Sequence, residues 1–125
     1  MVEYDHEGRN KDFDPDVYRI DGMGKDVERE VTKTGGEHAA VPYRFDLIPP
    51  EAMFALAKVL HEGIVSGYTK DNWRKIDCNT HLNHALSHIF AHMAGDSQDD
   101  HLEHALTRVA MAVTVNKKEN NDARG

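Results

Sequence analysis

Apolar residues recur at three- and four-residue intervals in three stretches of the second half of the chain. The first stretch follows Pro49-Pro50-Glu51, where a proline in the first turn and an acid near the positive end of a helix favour a helix start. The pattern predicts a helix over about residues 50–66 that ends before Gly67. Its apolar positions are Met53, Leu56, Ala57, Leu60 and Ile64.

Two further helices are predicted from the same spacing. The second begins at a cap on Asn79 or Thr80 and ends at Gly95, and the third runs from a cap on Asp99 or Asp100 to about Val115. Polar residues between the first two helices, 68–78, indicate a loop or a short helical turn. The apolar positions are Leu82, Ala85, Leu86, Ile89, Phe90 and Met93 in the second helix, and Leu102, Ala105, Leu106, Val109, Ala110 and Val113 in the third.

These elements predict an all-α fold, a small helical bundle built on an antiparallel hairpin of the second and third helices with their apolar stripes facing. Residues 1–40 carry many charges, several glycines and unphased apolar residues, which is typical of an irregular N-terminal arm. The helical domain then covers residues 41–116, and 117–125 form a polar tail. An apolar cluster in the arm can dock on the core or on a partner: Phe13, Val17, Tyr18 and Ile20.

Length, charge and cysteine content argue against a protein that binds long nucleic acids, is held by disulfides or spans a membrane. A chain of 125 residues fits one domain, and a net charge of -7 with a pI near 5.6 argues against binding to long nucleic acids, which needs clustered Lys and Arg. The single cysteine, Cys78, has no disulfide or zinc pattern around it. No signal-like segment or membrane-length apolar run is visible, so we expect a cytoplasmic protein with no membrane partner.

Histidines are frequent and regularly spaced. Seven of the nine lie between His61 and His104, and the segments 81–88 and 101–108 share the pattern H-L-x-H-A-L-x-(H/R), an internal repeat. On helices this spacing places His81, His84, His88 and His92 on one stripe, and His101, His104 and Arg108 on the equivalent flank of the third helix. The two stripes can therefore line the sides of a groove.

This arrangement favours a metal site. Two histidines four residues apart, such as His84 and His88, can bind one transition metal ion. Nearby acids can complete a mixed site, in which oxygen ligands favour Mg or Mn and nitrogen ligands favour Zn, Co or Ni. The alternative for any single histidine is a residue hydrogen-bonded at the edge of the core. The acids are Asp96, Asp99, Asp100 and Glu103.

Several short stretches together resemble a known family. Residues 44–53 read R-F-D-L-I-P-P-E-A-M, and are followed by Asn72-Trp73, by Ala85-Leu86 with His88, by Ala94-Gly95-Asp96 and by H-L-x-H-A at 101–105. This series resembles a bacteriophage family of dATP/dGTP diphosphohydrolase-like proteins over about residues 25–115. Its most specific part is the R-F-D-L-I-P-P-E-A stretch.

The resemblance implies a small α-helical, MazG-like enzyme that uses a divalent cation to cleave a purine deoxynucleoside triphosphate to the monophosphate and pyrophosphate. The expected ion is Mg, Mn or Co, with Zn as a further option, and it would activate the attacking water. We expect Glu51 or Asp100 to act as the base, while Trp73 stacks on the purine and Asn72 bonds its edge. Arginines would neutralise the phosphates. The expected phosphate-binding residues are Arg44, Arg74 and Arg108, and the expected metal ligands are His84, His88, Asp96, His101 and His104.

Departures from the family pattern support a second hypothesis. The sequence has Gly67-Tyr68-Thr69 where the family has Lys-Tyr-Gly, and His84 and Ser87 where it has an acid and an arginine. Fewer basic side chains favour a catalytically weak or inactive nucleotide-binding phage protein that sequesters a nucleotide or binds a host factor. A third hypothesis is an oligomeric adaptor with histidines at its interface. In each case the exposed flanks of so short a helical chain predict a homo-oligomer, either a dimer or a dimer of dimers.

Overall fold

The computed structural model describes residues 3–9, 11, 28–41 and 43–124. The chain divides into two compact units, Met1–Leu47 and Ile48–Gly125. The apolar cluster predicted in the arm, with Phe13, Val17, Tyr18 and Ile20, lies outside the described residues.

The first unit contains a β-hairpin where the sequence predicted irregular chain. Strands β1 (Arg29–Val31) and β2 (Glu37–Ala39) pair antiparallel, with Arg29 opposite Ala39 and Val31 opposite Glu37. The connecting turn is closed by hydrogen bonds between Thr32 and the two glycines that follow, and Gly35 adopts a φ of 88°, which favours glycine. The prediction of an irregular arm is therefore wrong for this segment, because a glycine pair between two short β-capable runs is a turn signal.

The second unit consists of three helices: α1 (Pro50–Val65), α2 (Cys78–Met93) and α3 (His101–Arg124), with a short 3-10 helix over Asn72–Lys75 between α1 and α2. The mainly helical class and the α1 bounds are confirmed. Gly67 and Gly95 follow α1 and α2 with φ of 103° and 89°, as a glycine after a helix end requires. No helix among the described residues is both long and apolar enough to cross a membrane.

The start of α2 and the end of α3 differ from the predictions. Asp77, not Asn79 or Thr80, caps α2, since its Oδ2 accepts a hydrogen bond from the Thr80 backbone N–H at 3.2 Å. The polar segment predicted as a tail continues α3 to Arg124. Residues 117–124 include no glycine or proline, and the Glu119 carboxylate accepts a hydrogen bond from the Cys78 backbone N–H at 3.3 Å, at the positive end of α2.

Only the small members of the predicted apolar stripes are buried. Helices α2 and α3 pack against each other, and the buried side chains of the described residues are small or polar: His81, Ala85, Ala105, Thr107, Ala112 and Val115. Within the H-L-x-H-A-L repeat, the alanines at 85 and 105 face inward and the leucines lie exposed. Small alanines allow two helices to approach closely. The exposed apolar side chains are Leu82, Leu86, Phe90 and Met93 on α2, and Leu102, Leu106, Val109 and Val113 on α3.

Candidate metal centre

Three potential metal ligands meet where α2 ends and α3 begins. His88 lies in the second half of α2, His101 is the first residue of α3, and Asp99 lies two residues before it. One ligand atom from each of these side chains lies within 4.8 Å of the others. The two imidazoles are half-buried and Asp99 is exposed. The group is therefore open to solvent on the side of the link between the helices.

Hydrogen bonds orient the two imidazoles. The Nδ1 atoms of His88 and His101 lie 2.9 Å apart, and the Nε2 of His101 lies 2.5 Å from Asp96 Oδ2. A carboxylate only accepts hydrogen bonds, so the Nε2 of His101 carries the proton. This hydrogen bond lowers the pKa of the Asp96 carboxyl. Asp96 thus fixes the His101 ring with its Nδ1 directed at His88.

His104 supports the same cluster from the next turn of α3. Its ring stacks on His88 with centroids 4.9 Å apart and an interplanar angle of 20°, and its Nε2 lies 3.3 Å from Asp99 Oδ1. His104 therefore holds Asp99 next to His88. Burial lowers the pKa of His88, and the neighbouring imidazoles of His104 and His101 lower it further. The neutral imidazole is the form that binds metals.

The donor set fits a divalent transition metal. Two imidazole nitrogens and one carboxylate oxygen suit Mn, Co or Zn better than Mg, which prefers oxygen ligands. The 2.9 Å between the Nδ1 atoms of His88 and His101 is less than twice a metal–nitrogen bond of about 2.1 Å, so one ion could bond both nitrogens.

Comparison with known proteins agrees with the resemblance read from the sequence. The sequence model of the family described as "dATP/dGTP diphosphohydrolase, N-terminal" matches residues 32–124. The chain belongs to this family. No curated protein and no solved structure matches the chain. The match covers residues 32–124 of the 125-residue chain, including all three helices and the cluster around His88.

The structure brings four of the five predicted metal ligands into one cluster, namely His88, Asp96, His101 and His104. The fifth, His84, is exposed on α2 one turn before His88 and is not part of the His88–Asp99–His101 group. The positive charge of Arg108, followed by burial, lowers the pKa of His84.

The two predicted bases are not brought to the cluster. The Asp100 carboxylate bonds Lys58 Nζ on α1 at 3.0 Å, and this ion pair raises the pKa of Lys58. Glu51 lies exposed in the first turn of α1, and no contact among the described residues joins it to the histidines. Any base role for Asp100 therefore requires release of its carboxylate from Lys58.

The predicted nucleotide-binding residues belong to different elements of the chain, namely the segment before α1, the 3-10 helix before α2, and α3. Arg44 belongs to the first unit, where it pairs with Asp46 at 2.6 Å. Asn72 and Trp73 lie half-buried in the 3-10 helix before α2. The Arg74 guanidinium carbon lies 4.5 Å from the centroid of the Trp73 ring, over one of its faces, and the Arg74 Nε donates a hydrogen bond to Asp71 Oδ1 at 2.9 Å. Arg108 lies half-buried on α3.

Two residues of this region had weak sequence signals. Asp99 is one of four acids near the histidines, and the sequence analysis expects Asp96 instead of Asp99 as a ligand, because spacing alone does not show which carboxylate of a turn points at a histidine. The sequence spacing predicts His81 only as a member of the histidine stripe on α2. In the structure it is fully buried and hydrogen-bonded through both ring nitrogens. The inward placement of Ala85, one turn later, is the pattern that predicts its burial.

Proposed function

We propose that this chain is a metal-dependent nucleotide pyrophosphohydrolase that cleaves a purine deoxynucleoside triphosphate to the monophosphate and pyrophosphate. The observation that carries the proposal is the group of His88, Asp99 and His101, in a chain of the dATP/dGTP diphosphohydrolase N-terminal family. The reaction would take place in the cytoplasm of a phage-infected bacterium, where its substrates are made.

The ion would be held by the Nδ1 atoms of His88 and His101 and by the Asp99 carboxylate. A divalent ion in this position withdraws charge from phosphate oxygens and lowers the pKa of a water molecule. Asp96 orients the His101 ring through its Nε2 proton, and His104 orients Asp99. A supporting hydrogen bond such as the one between His101 and Asp96 fixes the tautomer and direction of a metal-binding imidazole.

The residues around the cluster have roles that their contacts support. The His104 Nε2 lies 3.3 Å from Asp99 Oδ1, and the unprotonated nitrogen of a neutral His104 ring can accept a proton from water. The water oxygen then bonds the α-phosphorus, the bond from that phosphorus to the bridging oxygen breaks, and pyrophosphate leaves. Trp73 and Asn72 would contact the purine, and Arg108 the phosphates. His104 takes the place of Glu51 and Asp100 as the proposed base because neither carboxylate reaches the cluster.

The exposed apolar side chains of α2 and α3, here called the leucine face, indicate a surface for a partner. They are Leu82, Leu86, Phe90 and Met93 on α2, and Leu102, Leu106, Val109 and Val113 on α3. The contacts between α2 and α3 run in opposite order along the two helices, from Cys78 with Glu119 to His88 with His101, so we propose an antiparallel hairpin. Its outer face carries four large apolar side chains on each helix. Contiguous apolar patches of this kind mark interaction sites. The proposed partner is a second copy of the chain, because a two-fold interface buries the same face on both copies.

The activity is tested by incubating the purified chain with the eight common ribo- and deoxynucleoside triphosphates and Mg, Mn or Co. Products are resolved by ion-exchange chromatography. We expect dAMP or dGMP with pyrophosphate, strongest with Mn or Co. The variant His88→Ala should lose the activity, and His92→Ala, an exposed histidine one turn further along α2, should retain it.

The outcomes separate the hypotheses. Inorganic phosphate as the leaving product, or activity that survives His88→Ala, would contradict the proposed site. Intact nucleotide recovered with the protein, without products, would indicate the nucleotide-sequestering alternative. Neither products nor binding would leave the oligomeric adaptor.

A further inference from the structure

His81 is a fully buried histidine that the proposed chemistry does not use. None of its surface is exposed. Its ring lies edge-on to Trp73, with centroids 6.4 Å apart, and its Nε2 lies 2.9 Å from the Trp73 carbonyl oxygen. A carbonyl oxygen only accepts hydrogen bonds, so the Nε2 of His81 carries a proton and donates it. His81 thus ties α2 to the 3-10 helix that precedes it.

The other ring nitrogen faces an arginine. The Nδ1 of His81 lies 3.2 Å from Arg108 Nη1 on α3. A guanidinium only donates hydrogen bonds, so this Nδ1 accepts, and the imidazole is fixed as the neutral Nε2–H tautomer. Both nitrogens are used, and the ring cannot rotate in its buried position without losing both bonds. The direction of the Arg108 guanidinium is therefore set by a rigid group.

Arg108 differs from the other arginines whose contacts the structure describes. Each of those pairs with a carboxylate, whereas no carboxylate of the described residues pairs with Arg108. Burial lowers the pKa of the Arg108 guanidinium, which remains charged at neutral pH. A half-buried cation without an acid partner is suited to bind an anion from solution. The paired arginines are Arg9, Arg29, Arg44 and Arg74.

Arg108 lies at a distance from the metal ligands that a polyphosphate can span. His101, His104 and Arg108 occupy successive turns of α3. At 1.5 Å per residue, His101 and Arg108 are about 10 Å apart along the helix axis. An extended nucleoside polyphosphate covers such a distance, so one ligand can touch both the cluster and the guanidinium.

We infer that His81 is a positioning residue, which holds the Arg108 guanidinium so that it binds the polyphosphate of the ligand. The ligand class is a nucleoside polyphosphate or free pyrophosphate. One N–H of Arg108 is used by His81, and the remaining N–H groups are left for two phosphate oxygens in the paired geometry that a guanidinium favours. The inference rests on the proposed function for the identity of the ligand, but the anion contact does not depend on hydrolysis.

The inference is tested by a double-mutant cycle on pyrophosphate binding, measured by isothermal titration calorimetry in EDTA so that neither metal nor turnover contributes. We expect Arg108→Ala to weaken binding at least tenfold and His81→Phe to weaken it about fivefold. In the Arg108→Ala background, His81→Phe should cause no further loss, because His81 acts through Arg108. His81→Gln should restore binding to within about twofold, since its amide can donate to the Trp73 carbonyl and accept from Arg108.

Each result decides between positioning and a merely structural role. An equal loss from His81→Phe in both backgrounds, or no effect of Arg108→Ala, would overturn the inference. A folded His81→Gln variant that binds as weakly as Arg108→Ala would also overturn it. If His81→Phe does not fold, the imidazole ¹⁵N spectrum of the unaltered chain decides, because an Nδ1–H tautomer or a charged His81 ring is incompatible with the inferred bond. Failure of hydrolysis with this binding pattern intact would refute only the proposed function.

Discussion

Truncation of Phe90 should weaken self-association strongly. Phe90 lies on the exposed leucine face of α2, with 63% of its surface accessible in the single chain. Complete burial of a Phe side chain contributes about 1.5–3 kcal/mol, so burial of this fraction in an interface contributes roughly 1.5 kcal/mol. Each side chain occurs twice in a two-fold dimer, which gives about 3 kcal/mol per dimer. Phe90→Ala should therefore raise the dissociation constant about 100-fold.

Sedimentation velocity over a concentration series measures this constant directly. Phe54→Ala is the matched control, since Phe54 is equally large and 78% exposed, but lies on the side of α1 opposite the half-buried Leu56 and Val59. It should leave the dissociation constant unchanged. The assignment of the dimer to the leucine face would be refuted by either of two results. One is an unaltered chain that sediments as a monomer at all concentrations, and the other is an equal change of the dissociation constant in Phe54→Ala and Phe90→Ala.

Three further predictions concern the cluster and the helix contact. Asp96→Asn should weaken Mn²⁺ binding about 10–100-fold in calorimetry, because it removes the carboxylate that fixes the His101 ring. Ala105→Leu should lower the free energy of unfolding in urea by about 1–3 kcal/mol, since Ala105 is buried where α2 and α3 meet. Folding lowers the pKa values of His84 and His88 below 6.5, so the unfolded chain binds more protons than the folded chain in mild acid. The free energy of unfolding should therefore decrease as the pH falls through 6.5, and the urea midpoint measured in EDTA should fall with it.

Matched changes test the specificity of these effects. Asp122→Asn, at an exposed position near the end of α3, should leave Mn²⁺ affinity unchanged, and Ala57→Leu, at an exposed position of α1, should alter stability by less than about 0.5 kcal/mol. Equal Mn²⁺ affinity of Asp96→Asn and the unaltered chain would argue against His101 as a ligand. A urea midpoint that rises in acid would contradict the lowered histidine pKa values.

The positions of the helices were predictable, and their facing surfaces were not. Pro50 and Gly67 bound α1 through backbone preferences that hold in any context. The period of apolar residues predicts a helix correctly, but it does not show whether a stripe faces the same chain or another copy. The burial of Ala85 and the exposure of Leu86 depend on close packing of two helices, which single-helix periodicity does not contain.

The histidine cluster was partly predictable for a related reason. The spacing of His101 and His104 places them on one face of α3, and the family resemblance points to Asp96 as the acid that follows Gly95. The choice of Asp99 over Asp100 depends on the turn before α3, where Lys58 from α1 takes the Asp100 carboxylate. The sequence analysis predicts Arg108 as a phosphate-binding residue. Its hydrogen bond to His81 could not be predicted, because it depends on the tertiary contact between α2 and α3.

The internal repeat accounts for both the candidate site and the proposed interface. In each copy of H-L-x-H-A-L, the alanine and the first histidine turn toward the other helix, and this leaves the two leucines on the outside. Small buried alanines allow the helices to approach closely, and between them His88 lies beside His101 and His81 beside Arg108. Leucines at the contact would separate the helices and open the cluster. The same repeat that assembles the polar groups between the helices therefore exposes an apolar face, which is the surface of the proposed dimer.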